Sequence, residues 1–101
     1  MVYNKLVRDK IPQIITEAGK MCTTEVLKED VYLQKLDEKL SEELAEYQES
    51  KSLEELADLL EVMAAVVKAR GYTWEELERI RVRKREKRGG FEERILLIES
   101  E

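Results

Sequence analysis

Apolar side chains recur at steps of three and four along most of the chain, which is the spacing of helices with one buried face. The pattern predicts four helices, over residues 10–18, 31–49, 53–70 and a segment from Thr73 to Gly89. The stripe of the second helix is made of leucines and one tyrosine, namely Leu33, Leu36, Leu40, Leu44 and Tyr47. The stripe of the third helix is wider and richer in valine and alanine.

Capping residues mark the ends of these predicted helices. Ser52 with Glu55, and Thr73 with Glu76, have the spacing of capping boxes, in which a hydroxyl and a carboxylate accept from backbone N–H groups. Asp9 is the expected cap of the first helix. Glycines stand where helices are expected to stop, at Gly19, Gly71 and Gly89.

The remaining segments leave open a small β-hairpin between residues 22–27 and 94–98, which have a strand-like composition. The 101 residues fit a single domain over 1–101. We therefore expect a mainly α fold, a helical bundle. The apolar arc of the 53–70 helix spans about 160°, and a chain of this size buries only ~60–65% of its surface. The bundle should thus be completed by self-association, as a dimer or a tetramer.

Composition excludes several classes of chemistry. The chain has no histidine, which removes histidine-activated nucleophiles and histidine-bound zinc. Cys22 is the only cysteine, so an intrachain disulfide and a cysteine metal cluster are excluded. No segment approaches the ~18 apolar residues of a membrane helix. No leader-like pattern opens the chain, and we expect a cytoplasmic protein that binds no membrane.

Charge is separated along the chain, although its net value is only −5. Residues 37–61 contain ten acids and two lysines, whereas residues 79–94 contain eight bases and three acids. The acidic segment argues against a broad nucleic-acid-binding face, and we expect no nucleic-acid partner. The net charge therefore says less about partners than this separation does.

Four acids lie beside the apolar stripes. On a helical wheel Glu43 lies about 20° from Leu36, at the edge of its stripe. Glu55 lies inside the apolar face of the next helix. Each has a second acid three residues on, at Glu46 and Asp58, and therefore on the same side of its helix. A short turn at 50–52 favours antiparallel packing, so the four carboxylates would converge and suit a hard cation, Mg²⁺ or Mn²⁺.

Structural explanations of the same acids stay open. Glu55 fits the third helical position of the capping box with Ser52. Glu43 could pair with Lys39, one turn earlier. Glu42 and Glu49 fall on the polar face of their helix, where acids are usually solvated.

The basic segment offers candidate phosphate contacts. Arg81, Lys84, Arg85 and Arg88 recur at helical spacing, and two glycines follow. A basic helix of this kind can bind phosphates, pair with the acidic helix at the surface or bind nucleic acid. Among the bases we select Lys84, Lys87 and Arg88 as substrate-binding residues, with Lys5 and Arg8 as further candidates.

The acidic motifs resemble a known family. Glu42-Glu43-Leu-Ala-Glu46 followed by Glu55-Leu-Ala-Asp58 is similar to the E-E-x-x-E … E-x-x-D signature of the MazG-like nucleotide pyrophosphohydrolases. This all-α group includes dimeric dUTPases and phosphoribosyl-ATP pyrophosphohydrolases. The segment from Tyr3 to Pro12 and the late Lys87-Arg-Gly-Gly-Phe91 resemble a small single-domain branch, so the resemblance covers nearly the whole chain.

The resemblance implies a magnesium-dependent hydrolase that splits the α–β phosphoanhydride of a nucleoside triphosphate, giving a nucleoside monophosphate and pyrophosphate, with a house-cleaning role toward non-standard nucleotides. Glu43, Glu46, Glu55 and Asp58 would hold Mg²⁺, with Mn²⁺ as a substitute. Glu42 and Glu43 would be catalytic, Glu42 as a base or as support for a ligand. The competing hypothesis is a non-catalytic helical module that binds a protein partner, or itself, through its acidic and basic faces.

Overall fold

The computed structural model describes residues 2–101, and this part of the chain contains four helices. They are α1 (Ile11–Glu17), α2 (Glu29–Ser50), α3 (Leu53–Ala69) and α4 (Trp74–Arg88). The prediction of a mainly α fold is confirmed. None of these four helices combines the length and the apolar character that crossing a membrane requires.

The first two helices begin differently from the sequence prediction. Lys10, not Asp9, is the residue that precedes α1, and no side chain caps that end. The Asp9 prediction is therefore wrong. Pro12 lies in the first turn of α1 and has no N–H group, so fewer donors need a cap there. The second helix begins earlier than residue 31, since the acids Glu29 and Asp30 stabilise the positive end of its dipole.

A two-residue connection joins α2 and α3 into a helical hairpin. Lys51 adopts the left-handed conformation (φ 57°), and its N–H donates to the carbonyl of Tyr47 at 2.7 Å. Ser52 then caps α3, because its Oγ accepts from the N–H of Glu55 at 3.3 Å. So short a connection returns α3 alongside α2. The interface between these two helices is the main packing interface of the described chain.

A complete capping box starts α4, as the sequence predicts. Thr73 Oγ1 accepts from the N–H of Glu76 at 3.1 Å, and the Glu76 carboxylate accepts from the N–H of Thr73 at 3.2 Å. Within residues 2–101, α4 packs against α3 and against no other helix. Its basic C-terminal half is exposed to solvent.

The hairpin between residues 22–27 and 94–98 is absent, since no strand occurs anywhere in residues 2–101. No backbone hydrogen bonds pair the two segments in that part of the chain. Their apolar side chains lie in solvent, with Val26 98% and Ile95 81% exposed. Strand-like composition stabilises a strand only where a neighbouring strand satisfies its N–H and C=O groups, and here neither segment has such a neighbour.

The chain buries little of its own apolar surface. Leu36 is the only buried apolar side chain among residues 2–101. The accessible surface is 9588 Å², whereas a compact monomer of this mass has about 5,900 Å². The radius of gyration is 17.9 Å, against about 13 Å for a compact domain of this length. The described chain is therefore an open arrangement of helices around one hairpin.

Candidate metal site between α2 and α3

Three carboxylates meet where α2 packs against α3. One oxygen each of Glu43, Glu55 and Asp58 lies within 4.8 Å of the other two. Glu43 comes from α2 and is only 6% exposed, while Glu55 and Asp58 come from the first turns of α3 and are half-buried. The hairpin connection thus brings together three of the four acids that the sequence selects as metal ligands.

Glu46, the fourth predicted ligand, lies beside this group but not in it. Its side chain is exposed, and it is near enough to the Glu43 carboxyl to affect the ionisation of that group. The position follows from the helical wheel, on which Glu46 lies about 60° from Glu43 on the side away from the apolar stripe. It can reach a cation only from the solvent edge of the site.

Two carboxylate oxygens of the group have no partner in the described chain. Oε2 of Glu43 and Oε2 of Glu55 are both buried and accept no hydrogen bond from residues 2–101. A buried acceptor without a partner costs free energy, and more so when it carries charge. The three residues offer only oxygen donors, the ligands that Mg²⁺ and Mn²⁺ prefer. A divalent cation therefore fits the donors that the chain leaves unsatisfied.

Burial also affects the ionisation of Glu43. It raises the pKa of the Glu43 carboxyl, and the neighbouring Glu46 raises it further, while the hydrogen bond from Lys39 opposes both. Burial disfavours the charged form because water no longer solvates it. A bound cation would favour the charged form and remove this penalty.

Glu55 makes only half of the predicted capping box. Ser52 Oγ accepts from the N–H of Glu55, but the N–H of Ser52 donates to Ser50 Oγ at 3.2 Å and not to the Glu55 carboxylate. The backbone of Glu55 therefore serves the cap, and its carboxylate lies with Glu43 and Asp58. Capping and ligation use different atoms of this residue, so the two interpretations do not exclude each other.

Glu42 is not the solvated acid that the helical wheel predicts. It is half-buried, and it accepts hydrogen bonds from Lys5 at 2.9 Å and from Lys39 at 3.3 Å. The Lys5 hydrogen bond, supported by Lys39, lowers the pKa of Glu42. The prediction fails because the N-terminal segment folds over this face of α2, a contact that the periodicity of α2 does not contain.

The predicted phosphate-binding residues fall into two groups. Lys5 and Arg8 reach the acids, since Lys5 bonds to Glu42 and Arg8 Nη2 lies 2.7 Å from Asp58 Oδ1. The α4 residues form no ion pair with these acids within residues 2–101, and their side chains are exposed to solvent. These residues are Lys84, Lys87 and Arg88. Two of the five predicted cations therefore pair with the acids, and three do not.

Lys39 is a further cation at the site. Its Nζ lies 3.2 Å from Glu43 Oε1, as in the pairing that the sequence left open, and its side chain is only 18% exposed. Together with Lys5 and Lys35 it lines a pocket of about 250 Å³ between the N-terminal segment and α2. The ring of Tyr3 borders this pocket, with Lys5 Nζ 6.0 Å from the ring centre. The sequence feature that indicates a contact between Lys39 and Glu43 is their spacing of four residues on one helix.

The arrangement places three carboxylates that could hold a divalent cation next to a pocket that carries ammonium groups. That combination suits an anion that coordinates metal through oxygen, such as a phosphate chain. No family model matches this chain, and no curated protein and no solved structure matches it.

Proposed function

We propose that this protein is a magnesium-dependent nucleoside triphosphate pyrophosphohydrolase, which splits the α–β phosphoanhydride to give a nucleoside monophosphate and pyrophosphate. The observation that carries the proposal is the pair of buried carboxylate oxygens without partners on Glu43 and Glu55, within reach of Asp58. The likeness of the acidic motifs to the MazG-like enzymes supports the same activity.

Glu43, Glu55 and Asp58 would hold the cation, with Glu46 joining them from the solvent edge. When bound, magnesium or manganese supplies neutralisation of phosphate charge and lowers the pKa of a bound water. The residues around it would bind and orient the substrate. Phosphoanhydride cleavage depends on positioning and charge neutralisation and needs no covalent nucleophile, so the absence of histidine from the sequence is compatible with it.

We assign Glu42 the role of positioning the side chains of Lys5 and Lys39, and not the role of a base. A carboxylate that accepts from both Lys5 and Lys39, and whose pKa is lowered by them, is a poor proton acceptor. In this proposal Glu42 orients the two lysines toward the pocket. Lys5 and Arg8 take the place of the three α4 residues as phosphate contacts within one chain.

We also propose that the enzyme is at least a dimer. The accessible surface exceeds that of a compact monomer by about 3,600 Å², which is ample for a stable interface. Apolar side chains on one face of α3 stay exposed, namely Leu53, Leu56, Leu60 and Met63. A second copy that packs against this face would bury them. In such an assembly the basic end of α4 could approach the acids of the partner.

The test is a nucleotide panel assayed with Mg²⁺, in which pyrophosphate and orthophosphate are measured separately. Pyrophosphate should be the product, and a chelator should stop its release. Glu55→Gln keeps the shape of the side chain and removes its charge, so activity should fall by orders of magnitude. Glu54→Gln is the matched control, because this acid lies in the same helical turn but is exposed.

Two results would contradict the proposal. One is full activity in Glu55→Gln. The other is the absence of pyrophosphate release from every nucleotide when Mg²⁺ is present at millimolar concentration. The second result, together with binding of a basic protein in the presence of chelator, would favour the non-catalytic binding module.

A further inference from the structure

Two cations of the chain already bind carboxylate oxygens of the candidate metal site. Arg8 Nη2 lies 2.7 Å from Asp58 Oδ1, and Lys39 Nζ lies 3.2 Å from Glu43 Oε1. Ionised Glu43, Glu55 and Asp58 carry three negative charges, of which these two cations compensate two. In this state the chain itself provides two positive charges, as many as a divalent metal would bring.

We propose that Arg8 and Lys39 are exchangeable counter-ions. They compete with magnesium for Asp58 and Glu43 in the metal-free protein, and they bind the phosphate chain of the substrate in the metal-loaded protein. Metal and polyphosphate would therefore bind with positive cooperativity. This inference rests on the proposed function, because it assumes that the three carboxylates hold the metal.

Charge balance gives the reason for the cooperativity. A divalent cation added to Glu43, Glu55, Asp58 and the two side-chain cations leaves one net positive charge in the partly buried part of the site, and only Glu46, at the exposed edge, offsets it. The new cation repels Arg8 and Lys39 and attracts the carboxylates that they pair with, even where it binds the free Oε2 atoms of Glu43 and Glu55. Arg8 then needs a new anion and Lys39 keeps only Glu42 as a partner, and a phosphate chain coordinated to the same metal supplies negative charge to both at short range.

The structure gives both side chains room to make this exchange. Arg8 lies on a segment without helical structure that precedes α1, and its side chain is 59% exposed. Lys39 lines the pocket of about 250 Å³ that also contains Lys5 and Lys35. An arginine side chain can bind two phosphate oxygens at once through its planar guanidinium. The pocket is therefore the expected place of the phosphate oxygens that Lys39 binds, whereas Arg8, which does not line the pocket, would bind the phosphate chain from the solvent side.

The experiment measures binding and does not depend on turnover. Isothermal titration calorimetry of wild type, Arg8→Gln and Arg8→Lys would use Mg²⁺ alone and then the magnesium complex of pyrophosphate in excess Mg²⁺. Arg79→Gln is the matched control, because it removes an exposed arginine outside the site with the same change in net charge. Thermal unfolding of each variant, followed by circular dichroism, reports whether its fold is intact.

We expect Arg8→Gln to change the affinities for Mg²⁺ and for magnesium pyrophosphate in opposite directions. Arg8→Gln should bind Mg²⁺ about two- to fivefold more tightly, the range that follows from removing a partly exposed ion pair. It should bind magnesium pyrophosphate about 10- to 100-fold more weakly, the worth of a charge-assisted hydrogen bond. Arg8→Lys should restore the Mg²⁺ affinity of wild type, and Arg79→Gln should change neither affinity.

Equal or weaker Mg²⁺ binding in Arg8→Gln, or unchanged binding of magnesium pyrophosphate, would overturn the inference. A purely structural role of the Arg8–Asp58 pair predicts that both affinities fall together. If wild type binds Mg²⁺ and Arg8→Gln behaves like wild type, only the counter-ion exchange is refuted. If wild type does not bind Mg²⁺, the metal site of the proposed function is refuted as well.

Discussion

Replacement of Glu43 by glutamine should stabilise the metal-free protein. Two carboxylates 4.8 Å apart repel each other by about 3.5 kcal/mol at an effective dielectric constant of 20, and Glu43 has two such neighbours. Arg8 and Lys39 offset most of this repulsion. Lys39 keeps a partner in the variant, because it also bonds to Glu42. Removal of a buried charge with an oxygen that lacks a partner should therefore raise the free energy of unfolding by about 1 kcal/mol.

The same substitution should abolish stabilisation by magnesium. Wild type should gain about 2.7 kcal/mol when the Mg²⁺ concentration is one hundred times the dissociation constant, whereas Glu43→Gln should gain little. The assay is thermal and urea unfolding followed by circular dichroism, with chelator or with Mg²⁺, at fixed protein concentration. A change of 1 kcal/mol corresponds to about 4–8 °C in Tm for a domain of this size.

Glu49→Gln is the control for this comparison, since it removes an exposed charge from the same helix. Its Tm should change little with chelator or with Mg²⁺ relative to wild type. A lower Tm of Glu43→Gln in chelator would show that the Glu43 carboxylate stabilises the metal-free fold, which would refute the reasoning. An undiminished response of that variant to Mg²⁺ would refute the assignment of Glu43 as a ligand.

Three further predictions concern the cap, the exposed face of α3 and the N-terminal segment. Ser52→Ala should cost about 1 kcal/mol in urea unfolding through the lost cap, while leaving Mg²⁺ affinity within about twofold of wild type; a large loss of affinity would contradict the separation of cap and ligand at Glu55. Leu60→Glu should lower the mass measured by light scattering to that of a monomer. An unchanged mass would show that this face of α3 does not form the interface. Glu42→Gln should speed tryptic cleavage after Lys5 relative to Glu49→Gln, because Lys5 loses its partner; equal rates would mean that this pair does not hold the segment.

Local patterns in the sequence predict the helices and the meeting of the acids. The positions of Glu43, Glu55 and Asp58 relative to the leucine and valine stripes, with a short turn between the helices, suffice to place three carboxylates together. The helices and the meeting of the three acids both depend on residues that are near one another in the chain. Helical periodicity and capping chemistry describe such local relations well.

The surroundings of the acids could not be predicted in this way. The segment that carries Lys5 and Arg8 has no periodicity, and its contacts with Glu42 and Asp58 join residues far apart in sequence. The helical wheel therefore assigned Glu42 to solvent. The basic composition of α4 predicts phosphate-binding residues there. Composition does not predict where α4 lies relative to the acids, which depends on how this helix packs. The prediction of a strand at residues 94–98 is wrong for a similar reason. A strand needs a neighbouring strand to bond to its N–H and C=O groups, and composition does not show whether one is present.

The two-residue connection between α2 and α3 also bears on the order of folding. Every carboxylate of the candidate site lies between residues 43 and 58, so closing this part of the chain brings no distant segment together. Loops of ~10 residues close within about 10–100 ns, and contacts of short sequence separation form early in folding. The three acids can therefore come together in a single nascent chain on the ribosome, before any second copy is present. If the proposed metal site is correct, a cation bound at that stage would stabilise the α2–α3 hairpin before the rest of the chain folds.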